Sequence, residues 1–266
     1  MGTETVEISA TQPRFASSVQ NLLARGISIF WIFIKAFVKD RKSHVLTLLG
    51  LLPVPVLILS GQVPTEPYPA QTFFIDLTQS MYISLLIPLF GLLLGTAALT
   101  DEIESHTIVQ LVSRPVRRVE ILIWRYLATV IAGTLVAIIV TSGFYVTLSL
   151  YAPVPLELLT GFWGVCAICC AVYCALFILL GVALKRPLIW GVVITLYEQL
   201  LGVLAVFFGG AAFSISGHIL HVGTQFVDYA YSIPEWTPTS SGILLVVIAL
   251  MSILISTLLF RRRDLS

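Results

Sequence analysis

The feature that most limits what this chain can become is the length of its apolar runs. Crossing the hydrocarbon of a bilayer takes about twenty mostly apolar residues in a helix. Six stretches qualify: 44–63, 79–99, 119–150, 161–184, 188–208 and 241–260. In hydrocarbon every backbone polar group must find its partner inside the protein, which leaves helices and closed barrels. Runs of this length are helix-sized, so the expected fold class is an all-α polytopic membrane protein. Composition agrees, because only 11% of residues are charged and 58% are hydrophobic. A water-soluble domain carries about a quarter charged residues, so lipid has to cover the difference. The first stretch contains Pro53 and Pro55, which predict a kink. The third is longer than a bilayer requires and is expected to project beyond it.

Charge placement checks the count of spans. Arg14, Arg25, Lys35, Lys39, Arg41 and Lys42 precede the first stretch, and Arg114, Arg117, Arg118 and Arg125 surround the start of the third. Lys185 and Arg186 follow the fourth, and Arg261, Arg262 and Arg263 follow the sixth. Consecutive clusters are two spans apart, so all lie on one side, which the positive-inside rule makes the cytoplasm. Both termini are then cytoplasmic. The outer loops, 64–78, 151–160 and 209–240, hold Glu66, Asp76, Glu157, Asp228 and Glu235 and no lysine or arginine. A net charge of +1 gives no field that would attract nucleic acid.

Three units follow: a cytoplasmic N-terminal region (1–43), a six-helix membrane domain (44–260) and a short cytoplasmic tail (261–266). In the first, residues 15–42 read as a helix lying in the membrane interface, since the apolar run 27–38 is too short to cross. An ordinary cytoplasmic helix packed on its own protein is the alternative. A cleavable signal peptide is not expected, because the first apolar stretch follows a polar leader and carries Lys35. The last outer loop is too long for a turn. Gly209 and Gly210 are placed to break the fifth helix, and 213–227 is expected to fold back as a short re-entrant helix, with Tyr229, Tyr231 and Trp236 suited to the interface.

The segment 100–120 between the second and third spans, TDEIESHTIVQLVSRPVRRVE, is the most informative. Asp101, Glu102 and Glu104 suit a helix N-terminus. Ile108, Leu111 and Val112 follow at helical spacing and form an apolar face. Pro115 ends the helix, and Arg117 and Arg118 meet the headgroups. A short amphipathic helix over 101–113 is expected. Such a helix can lie on the membrane, pack beneath its own bundle, or dock in a groove on a soluble partner.

This run resembles the signature of ABC-2 type transporter permeases, the membrane subunits of a class of ATP-binding cassette transporters. The residues that carry the resemblance are Glu102, Glu104, Thr107, Leu111, Ser113, Arg114, Pro115 and Arg118, followed by Glu120-Ile121-Leu122, and the chain end Phe260 to Leu265. His106 departs from the glycine usual before the threonine. The resemblance implies a coupling helix around Glu102–Val112 docked on a separate ABC ATPase subunit, with Glu102, Glu104, Thr107, Ile108, Leu111, Ser113, Arg114, Pro115 and Arg118 as the ATPase-coupling residues. That subunit would bind ATP and Mg. The chain itself has no G-x-x-x-x-G-K-[ST] and is expected to be neither an enzyme nor a cofactor carrier. A second permease copy, a prokaryotic plasma membrane and export as the direction are also implied.

Other residues carry two readings each. Glu198, with Tyr197 and Gln199 beside it, is a charge inside the fifth span. It either lines a substrate path or acts as a protonated structural carboxyl bonded to a neighbouring helix. Cys166, Cys170 and Cys174 line one helix face with Cys169 beside them; packing is the expectation rather than a soft-metal path. His218 and His221 stand three apart, as metal ligands can, although an exposed polar rim is the commoner meaning. Gly91 and Gly95 permit close helix approach, expected within one subunit. The rival functions are a secondary transporter or channel working through Glu198 and an intramembrane enzyme. Neither explains Ser113-Arg114-Pro115.

Overall fold

The computed structural model describes residues 41–60, 64, 66–104, 118–208 and 210–262, with isolated positions between 27 and 39. Most of the N-terminal region and all of 105–117 therefore lie outside the described residues. So do most of the expected interfacial and coupling helices. All regular structure among the described residues is helical.

Proline placement decides how the first expected span is built. Proline has no N–H, and the residue before it is pushed out of the helical region. The chain accordingly forms α1 (Arg41–Leu51) and α2 (Pro53–Ser60), separated at Leu52. The continuous helix expected over 44–63 is thus two short helices of 11 and 8 residues.

The second span begins earlier than its hydropathy suggests. Pro67 suits a first helical turn, where an N–H would lack an intrahelical partner anyway. From there α3 (Pro67–Leu77), a π-helical segment (Thr78–Leu86) and α4 (Ile87–Glu104) run on without a gap. Most of the loop expected over 64–78 is helix. Asp101, Glu102 and Glu104, expected to open a new helix, continue this one instead. The π segment has a local cause in Pro88. A proline ring collides with the carbonyl four residues back, and the preceding turn opens so that the Ile87 N–H reaches Tyr82 O.

Next come α5 (Arg118–Ser149) and α6 (Leu156–Ala183). At 32 residues, α5 is about 48 Å long, well beyond a bilayer core of about 30 Å. Helix α6 is the centre of the bundle and packs on α3–α4, α5 and α9 (Pro238–Arg262). Glycine makes the closest seam. A Cβ on Gly91 would sit 3.0 Å from Tyr173 Cβ, and one on Gly95 would sit 2.9 Å from Phe177 Cβ. The pair therefore seats α4 on α6 within one chain. At one end of the bundle Phe74 stacks on Phe144 with centroids 5.6 Å apart and meets Phe162 edge-on at 5.7 Å. Phe162 in turn stacks on Tyr229 at 5.9 Å, which ties the long loop to the core.

The chain leaves α6 through Leu184 in extended conformation and re-enters a helix at once with Pro187. Helix α7 (Pro187–Phe208) is followed by a 3-10 turn (Gly210–Phe213) and α8 (Ile215–Gly223). The short fold-back helix expected in 213–227 is present, bounded by the glycine break before it and capped by Ser214, whose hydroxyl accepts from the Gly217 N–H at 3.1 Å. Tyr229 and Trp236, expected to face the interface, pack inward on Phe162 and His218. By length and composition, four helices among the described residues can cross a membrane: Pro69–Thr96, Val119–Ser149, Leu156–Ala183 and Pro238–Phe260. Thr47–Val56 and Pro187–Gly202 are shorter apolar helices.

Candidate functional site

The polar residues of the bundle converge where α7 meets α8. Helix α7 buries one stripe, Gly191, Thr195, Glu198 and Leu201, and exposes Val192, Val193, Leu196, Tyr197 and Leu200. That spacing is the helical period. Glu198 is 3% exposed, and its carboxylate meets the N-terminus of α8. Oε1 accepts the Ile215 N–H at 3.0 Å, and Oε2 accepts the Ser216 N–H at 3.2 Å. Oε2 also accepts the hydroxyls of Ser214 at 2.7 Å, Ser216 at 3.1 Å and, more weakly, Tyr173 at 3.5 Å. A helix N-terminus presents unpaired N–H groups and the positive end of its dipole. A carboxylate among five donors is the group that satisfies them. The substrate-path reading grouped Tyr197 with Glu198 and Gln199, but neighbours on a helix diverge by about 100°. Tyr197 accordingly points out of the bundle, 52% exposed.

Gln199 turns a third way. Its amide nitrogen donates a short hydrogen bond to Ser84 O in the π segment. Ser84 is four residues before Pro88, so its carbonyl is the one an α-helical N–H at position 88 would have reached. Pro88 has none. The Cys169 thiol donates to the neighbouring carbonyl, Ile83 O, at 3.6 Å. Broken backbone bonds in a membrane helix are tolerated where neighbouring groups replace them. Gln199 and Cys169 are those groups. Cys166, Cys169, Cys170 and Cys174 are all reduced and buried, and a Cβ on Gly133 would lie 3.4 Å from Cys170 Sγ. The cysteine face packs against protein.

Beyond α8 sits a second polar cluster. His218 and His221, for which an exposed polar rim was the commoner expectation, are 2% and 4% exposed. Helix α8 is apolar on nearly every side and is enclosed by α6 and α9, so its histidines go inside with it. Ser241, in the first turn of α9, bridges them, with Oγ 3.0 Å from His218 Nδ1 and 3.1 Å from His221 Nδ1. His218 Nε2 lies 3.0 Å from Ala212 O. A carbonyl only accepts, so Nε2 carries the proton. With the proton on Nε2, His218 Nδ1 can accept from the Ser241 hydroxyl, whose oxygen can accept in turn from His221 Nδ1. Both His218 nitrogens are thus engaged by protein. Among the described residues no group of three or more metal-ligating side chains forms. Burial, and then the nearby His218 ring, lower the His221 pKa from its usual value. Trp236 closes the cluster, its ring 4.6 Å from that of His218 and edge-on. Glu235 just before it adopts φ 67°, a left-handed conformation costly for a side chain of this kind.

A family model described as ABC-2 family transporter protein matches residues 27–265. The chain belongs to the ABC-2 transporter family. No curated protein matches it. As an ABC-2 family member it is a multi-pass membrane protein, and the family is that of ABC-transporter permeases. The matched range contains the whole segment 100–120 that carries the resemblance. Of that segment's residues, Glu102 and Glu104 lie on α4, and Arg118 is the first residue of α5. Thr107, Ile108, Leu111, Ser113, Arg114 and Pro115 fall outside the described residues. The sequence reading of this ABC-2 protein missed Ser214, Ser216, Ser241 and Tyr173. Serines and a tyrosine in apolar segments give no signal until their partners are known, although Ser214 could have been recognised as an N-cap after the Gly209-Gly210 break.

Proposed function

We propose that the chain is the permease subunit of an ABC-2 transporter whose ATP is bound and hydrolysed by a separate cytoplasmic ATPase subunit. The single observation that carries this reading is the run from Glu102 to Arg118, lying between the first and second long helices inside a family match that spans 27–265. In this reading α1–α2 and α7 join the four long helices as crossings, giving six in all. Both termini face the cytoplasm, where every lysine and arginine then lies, and α8 is re-entrant from the outer face. Residues 101–113 couple to the ATPase, with Glu102, Glu104, Thr107, Ile108, Leu111, Ser113, Arg114, Pro115 and Arg118 at or near the contact. Two permeases and two ATPases make the working unit in a prokaryotic plasma membrane, and ATP-driven closure of the ATPases switches the bundle toward export. ATP and Mg belong to the partner, and this chain carries no cofactor of its own.

The rival reading, a secondary transporter or channel working through Glu198, is weakened because that carboxylate is already committed to α8. We read Glu198 and Gln199 as supports of a translocation path rather than as substrate contacts. The test is capture of the tagged chain from its host in mild detergent, with partners identified by mass spectrometry. A cassette ATPase should co-purify and be lost when Glu104 and Leu111 are replaced. Capture that does not depend on those residues would remove the coupling assignment.

A further inference from the structure

Two consecutive side chains of α7 hold two separate parts of the bundle. Glu198 receives the N-terminus of α8, and Gln199 donates to Ser84 O, the carbonyl that Pro88 leaves without its usual donor. The roughly 100° between neighbouring helical residues lets one helix reach both at the same level. Each contact replaces something that the backbone cannot supply for itself: a cap for α8 and a missing hydrogen bond for the π segment. π segments inside α-helices occur frequently at functional sites, and this one ends two residues before Pro88. Beyond it α4 runs 18 residues, about 27 Å, to Glu104. That end lies within the segment assigned above to the ATPase.

We propose that α7 is a coupling strut: Glu198 and Gln199 link the π segment before Pro88 in the first long helix to the re-entrant helix α8, so that a change of conformation in that segment is passed to the outer face. Tyr173 of α6 reinforces the strut. It reaches Glu198 Oε2 at 3.5 Å, while its Cβ would lie 3.0 Å from a Cβ on Gly91, one turn past Pro88. Cys169 bonds Ile83 O beside it. The π segment is therefore gripped from α6 and from α7, but only α7 also holds the cap of α8 through a carboxylate. A movement of α4 relative to α6 changes the position of Ser84 O, draws Gln199 with it, and shifts the adjacent Glu198 against the first turn of α8. The π segment becomes the input and the seating of α8 the output.

The proposal deepens the permease reading and rests on it only for the source of the movement. Its test uses the full chain alone in lipid nanodiscs, with amide hydrogen exchange over 215–223 as the readout. Pro88→Ala returns an N–H to the helix, so that Ser84 O no longer needs Gln199. Gln199→Leu removes the donor at nearly constant volume. Each is expected to speed exchange of the α8 amides by about tenfold, and the double variant by no more than either single, because both act through one contact. Unchanged α8 exchange in Pro88→Ala overturns the proposal. So do effects of the two substitutions that multiply. Should Gln199→Leu fail to fold, folding of the double variant supports the proposal, since the N–H restored at position 88 then serves Ser84 O; failure of both contradicts it. Capture of the ATPase by the unaltered chain tests the permease reading separately.

Discussion

Replacing Glu198 by glutamine keeps the shape of the side chain and removes its charge, which isolates what the carboxylate does. Both oxygens accept backbone N–H groups of α8, from Ile215 at 3.0 Å and Ser216 at 3.2 Å. A glutamine amide has one accepting oxygen. Oriented to keep the oxygen among Ser214, Ser216 and Tyr173, it turns an NH2 toward the Ile215 N–H, so one bond is lost and two donors face each other. A hydrogen bond to a charged group contributes roughly 1.5–3 kcal/mol, and favourable charge at a partly buried helix terminus contributes up to about 2 kcal/mol. The remaining hydroxyl bonds weaken but survive, so the expected loss is about 2–4 kcal/mol for the seating of α8. That corresponds to roughly 30- to 1000-fold faster exchange of the amides over 215–223. The measurement is hydrogen exchange by mass spectrometry in nanodiscs, with the amides of α5 as an internal control that should not change. Protection within threefold of the unaltered chain would refute the argument. It would mean that the serines alone hold the helix.

Three further expectations follow from other contacts. Gly95→Val should loosen α4 from α6, because a Cβ there already meets Phe177 Cβ at 2.9 Å; overpacking of this kind costs about 1–3 kcal/mol. A lower melting temperature of the purified chain would show it, and an unchanged one would contradict the seam. Because the His221 pKa is lowered in the fold, the unfolded outer turn binds more protons as pH falls through its ordinary range near 6.5. Stability of α8 should therefore be full above about pH 7 and fall below it, and His221→Gln should flatten that dependence; an unchanged profile in the variant would assign the effect elsewhere. The four cysteines, all buried, should resist a maleimide in the folded chain and react after denaturation. Rapid labelling of native protein would place the α6 face against water.

Much of the bundle could be read from the chain because its causes are local. Apolar length placed the long helices, Gly210 opens the 3-10 turn that precedes α8, and Gly91 and Gly95 fell where α4 meets α6. The misreadings share a different origin. Hydropathy set the start of the second span near Gln79, since Glu66 and Asp76 suggested a loop, but helix formation from Pro67 needs no apolar average. Pro53 was read as a kink, and the chain does interrupt the helix for one residue at Leu52, with Val56 N–H still bonded to Leu52 O at 3.4 Å. The repair of the π segment was invisible because the donor to Ser84 O is 115 residues away. Glu198 stood out as a charge in an apolar helix, and the structural alternative for it was in view. Its partner could not be named until α8 was seen folded back onto it. His218 and His221 looked like rim residues because they lie in an outer loop, although their neighbours Ile215, Ile219, Leu220 and Val222 are apolar. Only the folded arrangement shows Ser241 waiting for both.

The central claim is that this ABC-2 family chain is moved by a separate ATPase, and ATP turnover tests it most directly. The chain and its co-purifying ATPase, reconstituted in liposomes, should hydrolyse ATP. Replacing Glu104 and Leu111 should reduce that turnover toward the level of the ATPase alone. A chain that purifies without any ATPase yet moves solute down an ion gradient would contradict the account and return Glu198 to the centre of the mechanism.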